Sequence, residues 1–277
     1  MTLRLSIVLA LFSSVALAQT AAPPPPPPAP AAEPIIAAPA PAAVASPARS
    51  SDDLARRSID MLAGEAWEEA RYIAFTFNVE RDGKRLASFP QRWDRDTNDY
   101  RVSGTDAKGT AFVVVMNIDT KKGKAWENGN PASGARLEEL LKLGYRRFIN
   151  DTYWLQMPLK MLDPGVHRSY DGERTDACGH AWDVVRLSFD SGLGLTSGDV
   201  YWAWINRDTG LVDQWDMKLQ GSKADEAPSS VLFRDFRRVG GLLISTRREI
   251  KGKNQFILLD EIQVEDEVPT GAFASLK

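Results

Sequence analysis

The chain has 277 residues, 43% of them hydrophobic, and its 34 Lys and Arg against 37 Asp and Glu leave a net charge of −3. The basic residues are scattered, so nothing marks a nucleic-acid surface and no nucleic-acid partner is expected. The lone Cys178 excludes an internal disulfide, so the core must hold the domain together without one.

Residues 1–18 read as a secretory signal. Arg4 supplies a basic start, an apolar run extends from Leu5 to Leu17, and Ala16-Leu17-Ala18 forms a small-x-small cleavage site. The run is shorter than the roughly 20 residues of a membrane-spanning helix, so cleavage and a periplasmic location are expected rather than a retained anchor. No Cys stands at the cleavage point to take a lipid. Residues 19–50 are almost wholly Pro and Ala, with unbroken prolines from Pro23 to Pro28. Such a segment cannot bury enough apolar surface to fold and favours extended polyproline II, so it reads as a linker. Residues 51–277 remain, about 225, which suits one large β-rich domain.

That domain opens on a helix, expected from Ser50 to Arg71. Ser50 and Asp53 fit a capping box, and Ala55, Ile59, Leu62 and Ala66 fall on one stripe. The period then changes to two: Ile73, Phe75, Phe77 and Val79 alternate with Ala74, Thr76 and Asn78, as in a half-buried strand. Arg81-Asp-Gly-Lys84 reads as a hairpin turn. Strands are expected at 86–94, 99–104, 110–118 and 122–127, with polar turns between. Leu137, Leu140, Leu141, Gly144 and Phe148 then take helical spacing, and a second short helix or turn covers Asp151 to Leu162, ended by Asp163-Pro-Gly165. Strands return at 181–189, 198–206, 211–219, 229–238, 242–251 and 255–264.

The stretch from Phe148 to Val166 is apolar and aromatic on every side, yet too interrupted to span a bilayer. It must be buried or cover something apolar. Consecutive strands joined by short turns pair antiparallel, and so many strands curl. The expected fold is therefore α+β: a half-open antiparallel β-barrel of about 11 strands wrapped around helices that form a lid. Large apolar side chains are its candidate cavity lining: Phe75, Phe77, Trp93, Phe112, Val114, Met116, Trp126, Trp202, Trp204, Trp215 and Met217 from strands. Phe148, Tyr153, Trp154, Leu155, Met157 and Met161 are the lid candidates. Each alone fits ordinary core packing; together, Trp and Met make adaptable walls for apolar ligands. Trp202 and Trp204 share one strand face, and Tyr201, Ala203 and Ile205 line the other, so this strand should be covered on both sides.

The run Asn150-Asp151-Thr-Tyr153-Trp154-Leu155-Gln-Met-Pro158-Leu159-Lys160 before Asp163-Pro164-Gly165 resembles a branch of the LolA/LolB-like lipoprotein-carrier superfamily. The resemblance in element order covers about residues 52–275, closing on Val268-Pro-Thr-Gly-Ala-Phe273. It implies an incomplete antiparallel barrel with a helical lid whose cavity takes acyl chains. The superfamily's receptor branch is anchored through an N-terminal Cys that this chain lacks, and its carriers usually begin their domain soon after the signal.

Enzyme readings are weaker. Cys178-Gly-His180 is the only Cys–His pair, and catalysis there needs contact with an oriented base. Cys178, His180 and His167 have no metal-ligand spacing. Ser191-Gly-Leu-Gly-Leu-Thr-Ser-Gly198 lacks the Lys-Ser/Thr of a phosphate loop and reads as a flexible hairpin loop. No catalytic activity, cofactor or metal is expected. Two functions stay open: a monomeric periplasmic carrier of lipid acyl chains or lipoprotein, served by inner- or outer-membrane transfer partners, or an envelope module of the same fold that binds a partner.

Overall fold

In a computed structural model, residues 50–274 are described, and they form one antiparallel sheet crossed by helices; the signal and nearly all of the Pro/Ala linker lie outside them. The sheet has 13 strands: β1 (Tyr72–Arg81), β2 (Lys84–Asp94), β3 (Asp99–Thr105), β4 (Ala111–Asn117), β5 (Gly123–Glu127), β6 (Asn130–Pro131), β7 (Val166–Thr175), β8 (Ala181–Phe189), β9 (Val200–Asn206), β10 (Val212–Lys218), β11 (Ser229–Val239), β12 (Leu242–Ile250) and β13 (Gln255–Glu265). Their spatial order is β6-β5-β4-β3-β2-β1-β13-β12-β11-β10-β9-β8-β7, and the two ends do not pair. The expected open, helix-filled antiparallel barrel is therefore found, with two more strands than expected.

One is the two-residue β6. The other is β7, in a stretch to which the sequence reading assigns no element. It is an edge strand in which half-buried and exposed residues mix, so no clean alternation marks it, and Gly172 at φ 94° breaks its pairing with β8. Elsewhere turn chemistry sets the register. Asp82 (φ 52°) and Gly83 (φ 72°) both lie in the left-handed region, as a tight two-residue hairpin demands.

Helix α1 (Ser51–Leu62) is capped by Ser50, whose hydroxyl oxygen accepts from the Asp53 amide at 3.4 Å. It stops well short of Arg71. Gly64 at φ 52° turns the chain out, and only the short α2 (Ala66–Glu69) follows. Leu54, Ala55, Ser58 and Leu62 form its buried stripe, one residue off the expected one for half its length.

The topology makes the lid obligatory. The chain enters at the middle of the sheet, runs outward to β6, and must then reach β7 at the opposite edge. Residues 132–165 make that crossing. They form α3 (Gly134–Arg147), a π-helical turn at Phe148–Thr152, α4 (Tyr153–Gln156) and a 3₁₀ turn at Met157–Lys160. Antiparallel register puts directly paired residues on one face. Pairing carries a continuous inner face from Val102 and Val114 through Gln91, Phe77, Leu259, Ile257 and Arg248 to Phe233. Val231, Trp215, Ala203 and Val185 extend the face to the far side. The outer face is covered at its centre, where Ala272 and Phe273 of the C-terminal segment pack on Tyr72 and Ala74. That explains why β1 is buried on both faces.

Candidate functional site

The crossing segment lies on the inner face, meeting it at three places and helix α1 at a fourth. First, Gly144 lets α3 press onto β4: a Cβ there would stand 2.8 Å from Val114 Cγ1 and 3.2 Å from Met116 Sδ. Next, the Phe148 ring sits edge-on to both Trp93 and Tyr100, each with centroids 5.1 Å apart. Then the Tyr153 ring lies against Tyr201, centroids 6.2 Å apart. Finally, the 3₁₀ turn packs beside α1. Arg168 fastens this end, donating to the Met161 carbonyl at 2.9 Å while its Nε binds Asp52 of α1 at 2.7 Å.

A buried polar knot fixes the middle of the lid. Asp151 is fully buried and accepts from Gln91 Nε2 at 2.5 Å and Asn150 Nδ2 at 2.8 Å, with Arg147 Nη2 at 3.0 Å. The other end of the Gln91 amide accepts from Tyr100 Oη at 2.5 Å. Burial raises the Asp151 carboxyl to about 6, against the pull of Arg147 and the two amides. Arg147 itself lies over the Phe89 ring at 4.4 Å. So the Asn150-Asp151 pair of the sequence motif is there to pin the lid to β2 and β3.

A second polar point lies under α4. Arg248 of β12 is 1% exposed; its Nη2 donates to the Leu155 carbonyl at 3.4 Å and its Nη1 to the Ser245 carbonyl. Its guanidinium stands 5.0 Å over Phe233. Burial pulls its pKa down to about 9, with no carboxylate beside it to oppose that.

The sequence-expected lining residues divide. Phe75, Phe77, Phe112, Val114, Met116, Phe148, Trp154, Leu155, Met157, Met161, Trp215 and Met217 are buried, and Trp93 and Tyr153 half-buried. Three others lie on the outer face. Trp202 and Trp204 pair with Asp216 and Gln214, whereas their neighbours Tyr201 and Ala203 pair with the inner-face Met217 and Trp215. Trp204 instead donates to Asp216 Oδ2 at 2.8 Å, edge-on to Trp182. Trp126 pairs with Val113, not Val114, and so also points away from the lid. Strand β9 buries Tyr201, Ala203 and Ile205 but leaves Trp202 and Trp204 half-buried, so it is covered on one face rather than on both, and the smaller Ala203 is the residue that faces the interior.

Sequence reasoning passed over Gln91, Tyr100, Arg248 and Ile257. The polar ones look like solvent-side residues of alternating strands, and only the register turns them inward. Cys178 is exposed in the β7–β8 turn, where Asp176 Oδ1 accepts from the Cys178 and His180 amides, both at 2.9 Å. The His180 ring binds Asp176 Oδ2 at 2.8 Å, so these residues build a turn. Among the described residues, no three His, Cys, Asp or Glu side chains gather as a metal site, and no helix is long and apolar enough to cross a membrane.

Fold and site together define a class: an open antiparallel sheet whose hollow face is spanned by a helical lid. No family model and no curated protein matches the sequence. Among solved structures the chain is similar to a LolA superfamily protein from Nitrosomonas europaea, with TM-score 0.48 and 10% identity over 82% of this chain and 99% of that one. It is also similar to an outer membrane lipoprotein-sorting protein domain from Vibrio parahaemolyticus, with TM-score 0.41 and 8% identity over 79% and 97%. Lipoprotein LppX from Mycobacterium tuberculosis gives TM-score 0.29 and 12% identity over 79% and 99%.

Proposed function

We propose that the protein is a periplasmic carrier that shields the acyl chains of a lipid or lipoprotein beneath its lid, and that it acts by binding rather than by catalysis. One observation carries the reading. The lid fills the inner face with its own Trp154, Leu155, Met157 and Met161, all buried, yet it is an interrupted helix. A long continuous helix would be a permanent core element. A π turn, a single α turn and a 3₁₀ turn in succession can change their arrangement piecewise.

The physics of carriage fits this construction. Each acyl CH₂ withdrawn from water is worth about 0.8 kcal/mol. Cargo must be held against that, then released. Lid residues that occupy the interior in the empty state compete with the tail, so binding is moderated by the self-contacts it displaces. Met157 and Met161 can repack around tails of differing length.

The test is native mass spectrometry of the mature protein purified from a bacterial periplasm, followed by lipid extraction. Discrete added masses that resolve into acyl lipids, and that change in Trp154→Ala, support carriage. A bare mass, unchanged after incubation with lipid vesicles, transfers the proposal to a partner-binding module of the same fold.

A further inference from the structure

The described interior holds two charged side chains without a counter-charge, Asp199 and Arg248, and only Asp199 has its hydrogen bonds filled. The other deeply buried ionisable side chains have partners: Asp94 has Arg71, Asp151 has Arg147, and Asp183 has Arg207. Asp199 accepts from Thr196 and Tyr201, both at 2.7 Å, and from the Gln220 amide at 2.6 Å. Arg248 has only two backbone carbonyls, and its Nε–H has no acceptor at all. A buried guanidinium left in this state is costly, and an apolar side chain of the same length would serve the core better.

The arrangement of what is free matters more than the cost. Nη1 is engaged with the Ser245 carbonyl of its own strand, whereas Nη2 makes only a long 3.4 Å contact to the lid. Nε and Nη2 are the two donors on one edge of the guanidinium fork. That edge matches the two oxygens of a carboxylate or a phosphate. It is turned toward the Leu155 carbonyl, the lid atom that cargo would displace. A second unmatched donor, the Nε1–H of fully buried Trp215, belongs to the same inner face two strands away. These unmatched groups are donors, as is Nε2 of the buried Gln255 on β13 of the same face, so an acceptor-rich group is what this face lacks.

We infer that Arg248 is a head-group site: its Nε and Nη2 edge takes the oxygens of an anionic amphiphile whose tail replaces lid side chains on the inner face. The inference rests on the carrier reading and narrows its cargo to acyl compounds with a carboxylate or phosphate head. Neutral lipids of the same tail length bind without this contact.

The test compares dodecanoate, dodecyl phosphate, dodecanol and inorganic phosphate, each below its aggregation limit, by calorimetry and tryptophan fluorescence. The wild-type protein should bind the two anionic amphiphiles at least about tenfold more tightly than dodecanol, a difference typical of a charge-assisted fork. Arg248→Met should bring the three amphiphiles level while keeping the affinity for dodecanol. Arg248→Lys should keep part of the preference. In the wild type, the carboxyl carbon of ¹³C-labelled dodecanoate should titrate lower when bound than when free, an outcome that needs no variant to fold. Equal wild-type affinity for dodecanoate and dodecanol overturns the head-group site and leaves carriage standing. Inorganic phosphate bound as tightly as dodecyl phosphate makes this a free-anion site and overturns the amphiphile. Failure of every amphiphile to bind overturns carriage, and this inference with it.

Discussion

Gln91 of β2 donates to Asp151 of the lid across 2.5 Å, although sixty residues separate them in the chain. Through the same amide Asp151 is coupled to Tyr100. One carboxylate thereby decides whether the middle of the lid is held to the first half of the sheet. Its partners are all donors and favour the carboxylate, but burial opposes the charge more strongly than they support it.

Acid should therefore relax a penalty rather than impose one. The Asp151 carboxyl stands at about 6 in the folded protein, above its ordinary 3.8, so the native state holds the proton more tightly than the unfolded chain. The penalty is fully present above about pH 6 and disappears as pH falls toward 4, with a full size of order 3 kcal/mol. Melting curves of wild type and Asp151→Asn across this range check it. The wild type should gain stability relative to the variant on acidification; a pH-independent difference refutes the assignment.

Gln91→Leu strands two buried groups at once, the Tyr100 hydroxyl and one Asp151 oxygen. Each unmatched group costs about 1–3 kcal/mol, so the variant should lose about 2–6 kcal/mol in urea unfolding. Combined with Asp151→Asn, the losses should fall short of additive, because both changes break the same knot. Strict additivity argues that the two side chains act separately.

The strands were readable where local chemistry is strong. Asp82-Gly83 could only be a tight turn, and the alternation of Ile73 to Val79 could only be a strand. The face each strand presents was less readable. Trp202 and Trp204 are larger than Ala203, so side-chain size favours them as lining, but the pairing of Ala203 with Trp215 and Val185 decides which side is inside. Arg248 stands between Arg247 and Glu249 in a polar stretch, which hides the one member buried under the lid. Both facts are set by register between strands distant in sequence, and composition contains no trace of it.

Close approach of α3 to β4 depends on Gly144. Val at that position would place its Cβ 2.8 Å from Val114 Cγ1 and add two methyl groups beyond it, with no gain in helix propensity over a straight-chain residue. Overpacking of this kind costs about 1–3 kcal/mol. Gly144→Val should lower stability by that much and shift α3 outward, visible as faster amide exchange in residues 134–147. Unchanged exchange and stability mean that the helix does not need this approach.

Trp154 separates a lid from a core element. It is 3% exposed, so truncation to Ala empties space that the surrounding structure fills only in part, and about 3–5 kcal/mol should be lost from the empty protein. If Trp154 belongs to a fixed core, that loss persists whatever is bound. If it occupies the space of a tail, cargo refills the vacancy, and added dodecanoate should raise the melting temperature of Trp154→Ala more than that of the wild type. The comparison is made at equal ligand concentration, because bound ligand stabilises in proportion to the logarithm of its saturation ratio. Equal shifts for both proteins place Trp154 in a permanent core and leave the lid without its main moving part.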